Sequence, residues 1–308
     1  MKHLSFILCL FSLVLVLGLV GCTSPSDENK LSIVATNFAA YDFAREIVGN
    51  SNTVSVTFMT SGDVHSFNPT FKDMATIKSA DLFLYVGGTS DAAIDTLLKG
   101  AGEVNTLRLI DCVTLLHESD HEHEHETEHE HGDAAYDEHV WTSPKNAILI
   151  VQAMLDAIVA IDEANGDTYR QNAAAYTEQL SALSEKFETL IRSQTKTAIF
   201  GDRFPLLYFA NAYGLRYEAA FPGCHATAEP SPARIAELIA LAEQEEIAYI
   251  FHIEGATQAV ASRIAEETGA SLLLFHTCHK VTSEELKEGA SYLTLMENNY
   301  QALEKALR

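Results

Sequence analysis

The sequence predicts an α/β protein of two lobes, each with a mostly parallel sheet flanked by helices, joined by one long rigid helix. Three observations carry this. Short apolar runs alternate with helix-like runs from residue 31 to residue 111, and the alternation resumes from residue 196 onward. Between the two stretches, Asp167–Ser193 runs without a glycine or proline and keeps one apolar stripe at helical spacing.

In the first half, Leu31–Ala35, Thr53–Phe58, Leu82–Val86 and Asn105–Asp111 read as short strands. Helical stretches fit Phe38–Val48, Phe71–Lys78 and Asp91–Leu98, with Gly49, Gly62, Gly87-Gly88 and Gly100 as punctuation. Strands alternating with helices are the signature of a parallel sheet covered on both faces. Trp141-Thr142-Ser143-Pro144 opens another helix, with Ser143 at the N-cap and Pro144 in the first helical position. In the joining segment Tyr169, Tyr176, Leu183 and Leu190 repeat every seventh residue, and Ala173, Leu180 and Phe187 fill the fourth place of each step. At about 1.5 Å per residue this helix is roughly 40 Å long, enough to brace two lobes. The second half gives strands at Lys196–Phe200, Leu215–Ala220, Ile247–His252 and Ser271–Phe275. Its helices fall at Phe204–Tyr213, Pro232–Glu245, Thr257–Thr268 and Thr282–Ala306.

Ahead of this lies an export signal, residues 1–21. Lys2 and His3 make a short basic start, and Phe6–Val20 is an apolar run too short for a comfortable membrane span. Its ending, Leu19-Val20-Gly21-Cys22, looks like a bacterial lipobox, which implies cleavage before Cys22 and lipid on its thiol. Residues 22–30 then form a polar tether, and the folded part divides into an N-terminal lobe at 31–165, the linking helix at 166–193 and a C-terminal lobe at 194–308. Cleavage removes Lys2 and no acid, so the formal charge moves from −23 to −24. Such a balance argues against nucleic acid as a partner and suits attraction of cations.

Six of the thirteen histidines stand in one acidic loop, residues 117–131: His117, His121, His123, His125, His129 and His131. Alternating His and Glu cannot be buried in a core, so this is a solvated segment able to catch cations. Single histidines fall at strand ends, where open α/β sheets bind their ligands. His65 follows the second strand, His276 directly follows the last, and His139 stands between the His-rich loop and the next helix. Outside the cytoplasm Cys224 and Cys278, in the similar contexts Pro-Gly-Cys-His and His-Thr-Cys-His, are a candidate disulfide, leaving Cys112 buried. Thiolate ligation by one of them is the alternative, and three cysteines allow three pairings.

Gly62-Asp63-Val64-His65-Ser66-Phe67-Asn68-Pro69 resembles the G-x-x-x-H-x-F-x-P motif of the periplasmic solute-binding proteins specific for zinc and manganese. Asp137-Glu138-His139-Val140-Trp141-Thr142-Ser143-Pro144 is similar to that family's D-P-H-V-W-x-S-P segment. Tyr208 to Leu215 is similar to Y-F-x-x-x-Y-G-L, and Glu266 to Ala270 to E-E-T-G-A. The resemblance implies one metal between the lobes, delivered to an ABC permease and its ATPase by a monomer held to the membrane through its lipid. It places His65 and His139 in the first two ligand columns. The third column falls on Gly201, which has no side chain, with Asp202 beside it as a substitute; the fourth falls on His276, with Cys224, Glu254 and Cys278 as further candidates. Imidazoles plus a carboxylate favour Zn²⁺, whereas Mn²⁺, the second choice, prefers more carboxylate. An exported zinc hydrolase or an adhesin are rival classes. Neither H-E-x-x-H nor G-x-S-x-G occurs, so no enzyme is expected.

Overall fold

Two four-stranded sheets, both wholly parallel and both in the order second-first-third-fourth strand, form in a computed structural model that describes residues 30–59, 69–117, 136–221 and 229–308. In the first, β1 (Leu31–Ala35) lies between β2 (Val54–Phe58) and β3 (Leu82–Tyr85), and β4 (Thr106–Arg108) flanks β3. The helices of this half are α1 (Phe38–Val48), α2 (Phe71–Lys78) and α3 (Ala92–Ala101). Asn37 caps α1 by accepting the Ala40 N–H, and Thr70 with Asp73 makes a reciprocal capping box on α2. Two long helices come next, α4 (Pro144–Ile161) and α5 (Gly166–Arg192). In the second half β5 (Ala198–Phe200) lies between β6 (Tyr217–Ala219) and β7 (Tyr249–Ile253), with β8 (Ser271–Phe275) beside β7. Its helices are α6 (Leu207–Tyr213), α7 (Pro232–Gln244), α8 (Ala259–Thr268), α9 (Ser283–Lys287) and α10 (Tyr292–Leu307).

Successive side chains on a strand face opposite ways, and the packing obeys that period. Ile33, Ala35, Leu82 and Leu84 point into one large core, while Val34, Phe83 and Tyr85 pack with Ile77 and Ile94 on the other face. In the second sheet Ala198, Phe200 and Phe251 join the large core, and Ile199 and Ile250 pack on Ile235, Leu238 and Ile264. That core runs without interruption from Phe43 on α1 through Tyr176 and Phe187 on α5 to Phe275 and Leu303. Leu31–Arg308 is accordingly one compact unit. Each large side chain in this core contributes about 1.5–3 kcal/mol by leaving water, so parting the lobes would expose many such groups together. The α5 stripe is buried as its spacing predicts, including Tyr169, Tyr176, Leu180, Leu183 and Phe187.

Three expectations change beyond shifts of one to three residues at element ends. Asn105–Asp111 is strand only at Thr106–Arg108; Leu109–Cys112 then coils into a 3₁₀ turn that buries Leu109 and Ile110. Thr282–Ala306 is two helices rather than one, because Gly289 adopts φ 84° and Ser291 starts α10 with its own capping box. Ser143 holds the N-cap position of α4 but its hydroxyl makes no capping bond.

Candidate metal centre

His139 sits just before a 3₁₀ turn, Val140–Thr142, and is wholly buried. Asp137, two residues earlier, accepts both its backbone N–H at 2.7 Å and its ring Nδ1–H at 2.8 Å. Fixing the proton on Nδ1 makes Nε2 the lone-pair nitrogen, and a carboxylate behind a histidine is the usual support for a metal-binding imidazole. The Asp137 carbonyl in turn accepts the Tyr208 hydroxyl proton at 2.8 Å, and that hydroxyl takes the Leu116 N–H. Tyr208 on α6 thus pins both ends of the His-rich loop, whose base is closed by the pairing of His117 with Tyr136. His121, His123, His125, His129 and His131 lie outside the described residues.

Glu138 stands where the family motif has proline. Its buried carboxylate accepts the Thr89 hydroxyl at 2.7 Å and the Ser90 N–H at 3.1 Å, fastening the loop after β3 to the residue next to His139. Gly88 makes this possible: it has φ 87°, and a Cβ there would stand 2.4 Å from Glu138 Oε1.

The second lobe brings a histidine to His139, and it is His279. The two rings meet edge-on at 90° with centroids 5.4 Å apart, and Trp141 lies 5.0 Å from His279. The segment carrying His279 is tied across the lobes. Trp141 Nε1–H donates to the Thr277 carbonyl at 2.9 Å, and the Phe38 N–H donates to the His279 carbonyl at 3.0 Å. The Tyr292 hydroxyl reaches back to the Trp141 carbonyl at 2.8 Å.

His276, the expected ligand directly after β8, engages its own turn, with Glu254 Oε1 3.8 Å from its Nδ1. Its Nδ1 accepts the Cys278 N–H at 2.9 Å, so in the neutral ring the proton is on Nε2. That Nε2 is buried without a hydrogen-bond partner, 3.8 Å from Glu285 Oε1. Glu254, another candidate, is occupied by the Thr277 N–H at 2.8 Å and the Thr277 hydroxyl. At Gly201 a Cβ would stand 2.3 Å from the Ala261 Cα, so this column excludes every side chain. Asp202, beside it at the end of β5, accepts the Arg203 N–H through one oxygen; the other is buried without a hydrogen-bond partner, and burial raises the carboxyl above its ordinary range. Cys278 is a free thiol packed wholly inside the core, held far above the usual thiol range by burial. The expected bond to Cys224 is thus not made at its Cys278 end, and such a thiol is a poor ligand. Cys112 is also free, raised to about 11 by burial. Cys22, His65 and Cys224 lie outside the described residues, and among the described ones no three His, Cys, Asp or Glu side chains share one point.

His279 was missed because the strand-end rule selects the first histidine of His276-Thr277-Cys278-His279. The left-handed Cys278, φ 57°, is what turns the chain and swings the second one to His139. A signal for Asp137 did exist, in the Asp-x-His spacing that lets one carboxylate reach both backbone and ring.

Residues 33–306 match the family model of the zinc-uptake complex component A, periplasmic. The chain belongs to this ZnuA family. Zinc-binding lipoprotein AdcA of Streptococcus pneumoniae is 31% identical over 99% of this chain, which spans 61% of that relative's length. The high-affinity zinc uptake system protein ZnuA of Bacillus subtilis is 31% identical, with 92% of this chain and 90% of the relative aligned. Among solved structures, the Zn(II)-bound ZnuA-like domain of S. pneumoniae AdcA is 28% identical with a TM-score of 0.73, covering 90% of this chain and 99% of the domain. The two parallel sheets and long helix are therefore those of the ZnuA family, as the motifs around His65 and His139 imply.

Proposed function

We propose that this protein is the extracytoplasmic substrate-binding component of a zinc ABC importer, lipid-anchored at Cys22, which takes up Zn²⁺ between its lobes and passes it to a permease and its ATPase. The observation that carries the reading is the pairing of His139, braced by Asp137, with His279 from the opposite lobe. Two imidazoles on one tetrahedral zinc, with each nitrogen 2.0–2.1 Å from the ion, have centroids about 5 Å apart. The separation of 5.4 Å is close to that spacing. His65, which follows β2 in the sequence, supplies a third imidazole in this reading. Asp202, with its unpartnered oxygen, is the carboxylate candidate of the second lobe.

An imidazole-rich set favours Zn²⁺ over Mn²⁺, and the role is capture and handover rather than turnover. The His-rich loop, closed at its base three residues before His139, gathers ions close to the tight site. The test is metal content and competitive zinc affinity of the lipid-free protein beside a His65→Ala/His139→Ala variant that keeps the loop. One tightly held zinc, lost in the variant, is the expected result. Unchanged tight binding would move the site to the loop or the cysteines and overturn the assignment.

A further inference from the structure

The one buried imidazole nitrogen without a hydrogen-bond partner among the described residues belongs to His276, three residues before His279. The backbone of His276 is clamped on both sides by Asn299. Its N–H donates to Asn299 Oδ1, and its carbonyl accepts from Asn299 Nδ2, each at 2.7 Å. The ring then folds back to accept the N–H of Cys278, two residues on, at 2.9 Å. An acceptor side chain taking the N–H at i+2 is the geometry of an Asx turn, here built by histidine. Cys278 needs such help. It holds φ 57°, a left-handed conformation unfavourable for a residue with a Cβ, and its thiol offers no compensating polar bond beyond a 3.9 Å contact with the His276 carbonyl. The next residue is His279, its carbonyl held by the Phe38 N–H.

We propose that His276 is a positioning residue, not a ligand: by accepting the Cys278 N–H through Nδ1 it closes the left-handed turn that sets the His279 ring against His139. This rests on the reading of His139 and His279 as a zinc site. The role needs an acceptor where Nδ1 lies and uses nothing at Nε2, which sets it apart from coordination. Asparagine places its carbonyl oxygen near the Nδ1 position, whereas glutamine places its polar end near Nε2.

The experiment compares His276→Asn, His276→Gln and His276→Ala by competitive zinc titration, with X-ray absorption of the zinc-loaded proteins to count imidazole ligands. Metal-free melting temperatures record folding. His276→Asn is expected to keep the wild-type imidazole count and to bind within about threefold of wild type. His276→Gln is expected to lose about 10–100-fold, the loss typical when support behind a ligand is removed. If alanine fails to fold, the asparagine and glutamine pair carries the comparison. Loss of one imidazole in His276→Asn, with affinity falling as far as in His279→Ala, would make His276 a ligand and sink the proposal. Equal binding by asparagine and glutamine variants would sink it too, since the Nδ1 acceptor would then do nothing. Absence of tight zinc from the wild type would instead strike the functional reading itself.

Discussion

His139 and His279 meet from opposite lobes, yet they are aimed by different means. In the N-terminal lobe a carboxylate two residues away takes both the backbone and the ring proton of His139, and the ring is wholly buried. In the C-terminal lobe His279 is half-buried and stands at the end of a turn whose shape comes from backbone bonds. These are the Cys278 N–H on His276, the Thr277 carbonyl on Trp141 and the His279 carbonyl on Phe38. The lobes repeat one strand order, so the difference lies in the loops beyond the strand ends rather than in the sheets. A histidine held by a carboxylate has its tautomer and direction set at once. One held by its backbone can be lost by disturbing residues that never touch an ion, two of which, Trp141 and Phe38, belong to the other lobe.

The largest losses should come from the rings themselves. His139→Ala and His279→Ala should each lower zinc affinity by more than about 100-fold, beyond what loss of a supporting residue costs. Competitive chelator titration reads this. Wild-type affinity in His279→Ala would remove the second lobe's histidine from the site. The next effect separates the two modes of support. Asp137→Asn keeps a side chain of the same shape but replaces the charged acceptor with an amide, so zinc affinity should fall about 10–100-fold while the melting temperature of the metal-free protein moves little. A fall in stability with unchanged affinity would mean that Asp137 serves the fold and not the imidazole.

Much of the architecture was legible because it depends on short-range pattern. Leu31–Ala35, Phe38–Val48, Phe71–Lys78 and Ser271–Phe275 form with the boundaries their sequences predict, since apolar period and capping residues fix them locally. What escaped was set by contacts far along the chain. Leu109 and Ile110 look like a continuing strand, but burial against the large core turns them into a 3₁₀ segment. Gly289 reads as a tolerable helix glycine until its positive φ parts α9 from α10. Around the proposed site, His65 and His139 stand out from motifs because each lies in a stretch of specific local sequence. His279 does not, because its place depends on a left-handed Cys278 and on partners from residues 38 and 141. Gly201 offers no side chain in the sequence, and the close approach of Ala261 leaves no room for one in the fold.

The smallest effect on binding should come from Asp42, another residue that joins the lobes. On α1 it is fully buried, accepts the Tyr292 N–H at the start of α10 at 2.7 Å and pairs with Arg45 at 3.3 Å. Burial outweighs that hydrogen bond and raises its carboxyl from 3.8 to about 6, with Glu46 adding to the rise and Arg45 opposing it. Between those two values the folded protein therefore holds a proton that the unfolded chain has released. Stability from this group is fully present below about pH 4 and is lost as the pH rises through about 6, a change of at most roughly 3 kcal/mol. Asp42→Asn cannot titrate, so the stability of wild type relative to this variant should decline from pH 4 to pH 7 and then level off, while zinc affinity at pH 7.5 stays within a fewfold. Denaturant unfolding of the metal-free proteins across that range measures it, and taking the difference cancels the similarly raised Asp91 common to both. A difference that stays flat or rises with pH would show that Asp42 is ionised throughout. The joint between α1 and α10 would then be held by a permanent charge rather than by a carboxyl that protonates in acid.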